Sequence, residues 1–241
     1  MYLLSRIRVG IFGLAGYVLD FPKPFSFVGP GASASMVREI IGLGPKRVMV
    51  ITDGPLLKLG LVDPLIDLLK SSGVEVDVFS EIEPDPDYEL VLKGVERLKN
   101  FKPDAVLAVG GGSSIDAAKA ILLSAANDCH PSRLTGVWLY ALPRKGCLPF
   151  YAIPTTAGTG AEVTIAAVVS DKVAQIKRAI IDPKTVPSMV ALDPNLMLGL
   201  PPFITAPTGM DSSFDGANWL PSTAPTTRPW STVCAHARAC S

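Results

Sequence analysis

The sequence has no excess of charge of either sign, since 22 basic residues balance 22 acidic ones over 241 positions. It therefore offers no electrostatic footprint for nucleic acid, and neither nucleic acid nor a membrane is expected as a partner. Histidine is scarce, with only His130 and His236. The four cysteines, Cys129, Cys147, Cys234 and Cys240, show no CxxC spacing. A chain of this length needs no disulfide framework, so they read as reduced thiols of a cytoplasmic protein. No run reaches the roughly 18 apolar residues of a membrane helix. The nearest approach, Val9 to Leu19 behind Arg6 and Arg8, has the outline of a signal peptide. No small-residue cleavage site follows it, so a buried or edge β segment is expected there.

What is present is apolar: 48% of residues come from the hydrophobic set, against 18% charged. That excludes disorder as a class. Such a chain can bury roughly 70–75% of the surface it exposes when unfolded. Residues 46–53 form a short apolar run with a polar end, the pattern of a strand buried on both faces. Gly54-Pro55 breaks it, and two short helical stretches follow, 56–61 and 62–71, closed by Gly73. Residues 74–79 alternate and predict a more exposed strand. Pro84-Asp85-Pro86-Asp87 predicts a turn, and apolar residues at 88, 91, 92, 95 and 98 predict one helical face. A strand at 105–109, a helix at 113–126, a loop-rich connection at 128–147 and a strand at 150–153 complete the regular part. Residues 166–187 suggest a hairpin.

Strands alternating with helices at this spacing predict crossover units and a parallel, Rossmann-like α/β sheet. Ligands of such sheets bind at the carboxyl ends of the strands. Here those ends are Asp53, Gly110–Ser113 and Thr155–Thr159. In Gly110-Gly111-Gly112-Ser113-Ser114-Ile115-Asp116, glycines leave a strand and enter a helix. Their backbone can approach a pyrophosphate, and the helix start offers free N–H groups and partial positive charge. Ser113 is the expected N-cap, with Asp116 at capping-box spacing. Taken alone, the triplet is equally a tight strand-to-helix turn. The second loop, Pro154-Thr155-Thr156-Ala157-Gly158-Thr159-Gly160, brings hydroxyls and glycines that suit ribose, amide or phosphate, or simply a solvated turn. Asp53 can accept both ribose hydroxyls of an adenosine and repel a 2′-phosphate, or cap a helix.

Together, GGGSSIDAAK, PTTAGTGAEVT, Leu192-Asp193-Pro194 and the Thr205–Asp211 segment TAPTGMD resemble the iron-containing (group III) alcohol dehydrogenase family, over roughly residues 25–211. The resemblance implies an N-terminal nucleotide domain and a C-terminal helical domain with the active site between them. It implies hydride transfer between a small alcohol or aldehyde and NAD, with NADP less favoured. It also implies a divalent metal, Fe2+ or Zn2+, held by one Asp and three His and acting as a Lewis acid on the alcohol oxygen. Carried over, Gly111, Gly112, Ser113 and Asp116 face the pyrophosphate and nicotinamide, and Thr155, Thr156 and Thr159 line the same site. Lys177 falls on a nucleotide-contacting lysine, Asp53 on the ribose carboxylate and Asp211 on the metal-ligand Asp. Asp85 stands where the family often has Asn, which keeps an acceptor and loses a donor. A homo-oligomer is expected.

After Asp211 the match stops. The family places a His four residues on, where i and i+4 share a helix face. This chain has Ser212-Ser213-Phe214-Asp215. Residues 216–241 contain no Asp, Glu or Lys and hold Pro221, Pro225 and Pro229. The division expected is an NAD(P)-binding domain over 1–195, the start of a helical metal domain over 196–215, and an atypical, poorly ordered tail over 216–241. On this reading the chain is truncated and short of metal ligands. Two other readings remain: a non-catalytic nucleotide-binding fragment or module, and a sister enzyme of the glycerol dehydrogenase kind.

Overall fold

The computed structural model describes residues 22–137 and 147–198. The segment 9–19, Asp211 and the 216–241 tail lie outside the described residues. Strands and helices follow one another along the first part of the chain. They are β1 (Phe25–Val28), α1 (Ala32–Gly42), β2 (Arg47–Asp53), α2 (Gly54–Lys58), α3 (Asp63–Ser71), β3 (Glu75–Ile82), α4 (Tyr88–Phe101), β4 (Ala105–Gly110), α5 (Gly112–Asn127) and β6 (Phe150–Pro154). The short β5 (Gly136–Val137) precedes β6; β7 (Ala166–Asp171), β8 (Ile176–Ile181), β9 (Met189–Leu192) and α6 (Asn195–Leu198) follow it.

Six strands run in the order β1-β9-β6-β4-β2-β3, and every pairing among them is parallel. This is the expected parallel α/β sheet. Period-two alternation divides its inner strands between two cores. Met49 and Ile51 of β2, with Val106 and Ala108 of β4, pack against α4 and α5. Val48 and Val50, with Ala105, Leu107 and Val109, pack against α1, α2 and α3. Both faces are covered, which is why these strands read as continuous apolar runs. β3 lies at the sheet edge, and its alternating sequence fits one covered face.

Four local expectations change. The buried face of α4 is Val91, Gly94, Val95 and Leu98, whereas Leu92 is exposed. Gly94 allows the close approach, because a Cβ there would sit 2.7 Å from Ile121 Cγ1. Helix α5 begins one residue earlier than expected, with Gly111 rather than Ser113 as N-cap and no side-chain cap. β1, α1 and β9 are not among the elements expected from the sequence. Their signal is present in α1, where Ala32, Met36, Val37 and Ile40 are buried at helical spacing.

The expected hairpin is real. β7 and β8 pair antiparallel, with β5 alongside β8 in a small second sheet. Among the described residues no helix is long and apolar enough to cross a membrane.

Candidate functional site

From β2 the chain moves outward to β3, then returns to the other side of β2 to form β4, and continues outward through β6 and β9. The reversal lies between β2 and β4. In open parallel sheets that switch point, at the carboxyl ends, opens a crevice for ligands. Asp53 ends β2 and Gly110 ends β4, so the sequence-predicted groups fall on either side of this crevice.

Asp53 has two jobs available. Its Oδ1 accepts the Leu56 amide at 2.8 Å, capping α2. Its Oδ2 lies 3.5 Å from where a Cβ on Gly110 would stand. Burial pushes its carboxyl up, while hydrogen bonds donated by the Leu56 amide and the Ser114 hydroxyl hold it down.

Gly110 and Gly112 are placed where a side chain does not fit, and Gly111 where one would be tight. A Cβ on Gly110 would lie 2.6 Å from Ser114 Cβ. One on Gly111 would lie 3.3 Å from Thr156 Oγ1. One on Gly112 would meet Thr159 at Cγ2 (2.9 Å), Oγ1 (3.0 Å) and Cβ (3.1 Å). The β4 turn and the Thr155–Gly160 loop are thus packed backbone against side chain. A hydrogen bond from the Thr155 amide to the Gly110 carbonyl, 3.0 Å, ties them together. At the start of α5 the amides of Ser114 and Ile115 both donate to Gly111 O. The amides of Gly112 and Ser113 are left without an acceptor among the described residues, as expected for a helix start that no side chain caps.

Asp116 does not close a capping box. Its Oδ2 accepts the Val168 amide of β7 at 3.0 Å. Burial raises its pKa, with the Val168 hydrogen bond and the Lys119 charge opposing. Lys177 is not at the glycine turn in this structure but pairs with Asp85 at 3.0 Å. Asp85 has φ 62°, a left-handed conformation that Asp and Asn tolerate better than most residues. His130 lies apart from this crevice. Its Nδ1 accepts the Ser132 amide, and its ring meets Tyr88 edge-on.

Sequence reasoning missed two residues. Asp193 is 2% exposed and accepts from Gly31 N, Ser33 N and Ser33 Oγ. It caps α1 across a sequence separation of 160 residues from Ser33. Lys119 is fully buried beneath the threonine loop. The signal for each was its place inside a recognised motif, but its partners are distant in sequence.

A groove of about 410 Å3 opens beside Gly54 and Pro55, with Ser80, Ile82, Lys93 and Lys172 among its walls. Among the described residues no cluster of three or more His, Cys, Asp or Glu could hold a metal ion.

The all-parallel order and its switch point define a Rossmann-like α/β domain. Residues 24–194 match the family model for iron-containing alcohol dehydrogenase, and the chain belongs to that family. It is 36% identical over 211 residues to alcohol dehydrogenase 4 of Schizosaccharomyces pombe, covering 88% of this chain and 49% of that protein. It is 37% identical over 192 residues to the NAD-dependent methanol dehydrogenase of Bacillus methanolicus, covering 80% and 50%. Among solved structures, a 1,3-propanediol oxidoreductase superposes with TM-score 0.74 at 34% identity, covering 80% of this chain and 50% of that one. The chain spans about half the length of these relatives.

Proposed function

We propose that this chain is the NAD-binding half of an iron-type alcohol dehydrogenase acting on a small alcohol or aldehyde. The observation that carries the reading is the glycine turn at the switch point beside Asp53, where a Cβ on Gly110 or Gly112 would collide with Ser114 or Thr159 and where no side chain caps the start of α5. Bound NAD would accept or supply the hydride. The residues here bind and orient it. The amides of Gly112 and Ser113, at the positive end of α5, suit the pyrophosphate oxygens. The hydroxyls of Thr156 and Thr159, with the buried Thr155 behind them, limit where that pyrophosphate can lie. Asp116, tied to β7 by one oxygen, is assigned to the nicotinamide side, and Lys177, which pairs with Asp85, is assigned to the nucleotide only on the family resemblance.

Asp53 suits the adenosine ribose through Oδ2 while Oδ1 keeps α2 capped. The groove beside it carries Glu81, Glu83, Asp87 and Glu89 against Lys93 and Lys172. That negative excess disfavours a 2′-phosphate, so NAD is preferred over NADP. Residues 1–195 serve as the cofactor domain, and 196–215 begin the metal-binding half with Asp211 as its ligand. Among the described residues no group of three or more His, Cys, Asp or Glu forms a set for Fe2+ or Zn2+. The half-buried free thiols Cys129 and Cys147 support a reducing, cytoplasmic setting. Exposed Phe25 and Val28 on the edge strand β1 support self-association.

Calorimetric titration of the chain with NAD and NADP tests this. NAD is expected to bind more tightly, and Asp53→Ala to weaken NAD and narrow the preference. Equal affinities in the unmutated chain refute the role of Asp53, and no binding of either refutes the function. NAD binding without alcohol oxidation assigns the chain to the class of nucleotide-binding modules.

A further inference from the structure

Lys119 is a buried lysine for which hydride transfer has no use. It sits two turns into α5, fully buried, in a place where an apolar residue would ordinarily be found. Its Nζ donates to the carbonyls of Ala161 at 2.6 Å, Thr164 at 2.7 Å and Ala166 at 2.8 Å. Thr164 Oγ1, at 3.2 Å, completes the shell. An ammonium group has three N–H donors, and three backbone carbonyls converge on it. All three belong to the segment that leaves the threonine loop and enters β7.

The same helix therefore grips this segment twice. At its first residue, Gly112 lies against Thr159. Seven residues later, about 10 Å along the axis, Lys119 gathers the carbonyls of Ala161, Thr164 and Ala166. Two contacts along one rigid helix fix the orientation of the intervening loop as well as its distance. We infer that Lys119 is a positioning residue, locking the 155–166 loop so that Thr156 and Thr159 face the glycine turn in the arrangement NAD requires. This rests on the NAD-binding reading above.

The hold depends on the proton. A neutral amine keeps two N–H donors and turns a lone pair toward the third carbonyl. Burial lowers Lys119 from its ordinary 10.5 to about 8, while Asp116 on its own helix and Glu162 on the loop act to raise it. As pH rises through about 8 the clamp loosens, and NAD affinity falls with it. Global stability moves the other way. Between about 8 and 10.5 the unfolded chain holds more protons at this lysine than the folded one, so this group makes the fold more stable as pH rises. A lysine that merely supported the fold would not separate the two trends.

The experiment uses the full chain. Hydrogen exchange, corrected for intrinsic base catalysis, is followed at pH 7 and pH 9, alongside NAD titrations over the same range. Protection of the Ala161 and Val163 amides is expected to fall at pH 9 relative to β2 and β4. The NAD dissociation constant is expected to rise about tenfold, the limit if only the protonated form binds. Lys119→Met should show both losses at pH 7 and no further pH dependence. Loop protection that is unchanged by pH overturns the inference, and the unmutated chain alone decides this if Lys119→Met does not fold. A loosened loop with unchanged NAD affinity overturns its link to the cofactor. A loosened loop in a chain that binds no NAD at pH 7 refutes the proposed function and upholds the clamp.

Discussion

The inner strand ends and the β7–β8 hairpin are held in different ways. Over β4 and β6 the chain is fixed by missing Cβ atoms, amide-to-carbonyl bonds and buried side chains such as Thr155, 1% exposed. At the end of β9 a buried carboxylate does the same work for α1. The hairpin packs its inner face on α5 but reaches the Pro84–Asp87 turn through the Ser170 amide, 2.8 Å from Pro86 O, and through two lysines, with Lys172 Nζ 2.5 Å from Asp87 and Lys177 Nζ 3.0 Å from Asp85. Those lysines are 69% and 66% exposed. Buried polar contacts act in a low dielectric and tolerate no loss of a partner. Exposed ion pairs are screened and adjustable. The part that would grip a pyrophosphate thus rests on buried contacts, while the lysine pairs beside it are open to solvent on the lysine side.

The largest effect should come from breaking a buried tie. Asp193 receives hydrogen bonds from Gly31, Ser33 and, at 3.1 Å, Asn195 N. Asp193→Ala leaves those donors without their acceptor and uncaps α1. Adding the cost of a lost cap to that of buried donors left unpaired gives a loss of about 2–4 kcal/mol. Urea unfolding measures it, and a loss under about 1 kcal/mol would show that β1 and α1 are held mainly by their apolar face. Asp193→Asn keeps the acceptor and should recover part of the loss.

A smaller effect, seen in binding rather than folding, is expected at Gly112. Rotating Thr159 exchanges Cγ2 for Oγ1 but leaves Thr159 Cβ 3.1 Å from the added atom. Gly112→Ala therefore pushes the loop itself away from α5. Overpacking of this kind costs about 1–3 kcal/mol, roughly 5- to 150-fold in the NAD dissociation constant if the displaced loop is the binding surface. An unchanged constant would place the pyrophosphate elsewhere.

These contacts divide what the sequence could and could not reveal. β2, β4 and β6 are legible because burial on both faces leaves a continuous apolar run ending in a polar residue, a glycine or, in β6, Pro154. The strand-end loops were legible because only glycine and small hydroxyl residues suit such a turn. The cap was misplaced because Ser113 is the better capping residue by chemistry, while Gly111 holds the extended conformation that the N-cap position needs. Asp116 looked like a local box partner, yet its acceptor role is filled by Val168 of β7, across a tertiary contact that no window on the sequence contains. Lys119 reads as an ordinary helical lysine until the fold brings three carbonyls to it. The role of Asp193 likewise exists only once β9 lies beside β1.

The smallest effect should come from the hairpin, and its sensitivity to salt is the diagnostic. Asp87 also caps α4, accepting Leu90 N at 2.8 Å. Burial raises its pKa, but the Lys172 contact and the Leu90 amide outweigh this and hold it below the usual carboxylate value. Its stabilisation is therefore present at neutral pH and lost as pH falls through that lowered value. Lys172→Ala removes the ion pair and leaves the cap, so the loss should be a small fraction of that from Asp193→Ala. Lys177→Ala should change less still, since Lys177 and its partner Asp85 are both solvent-exposed. In molar salt the Debye length shrinks to about 3 Å. Lys177→Ala should then approach the unmutated chain in thermal midpoint, Lys172→Ala less fully because Asp87 is only 10% exposed, and Asp193→Ala not at all. If the lysine variants keep their full deficit in high salt, the hairpin is held by packing of the lysine stems, and the contrast between a strand-end site resting on buried contacts and a screened, adjustable flank fails.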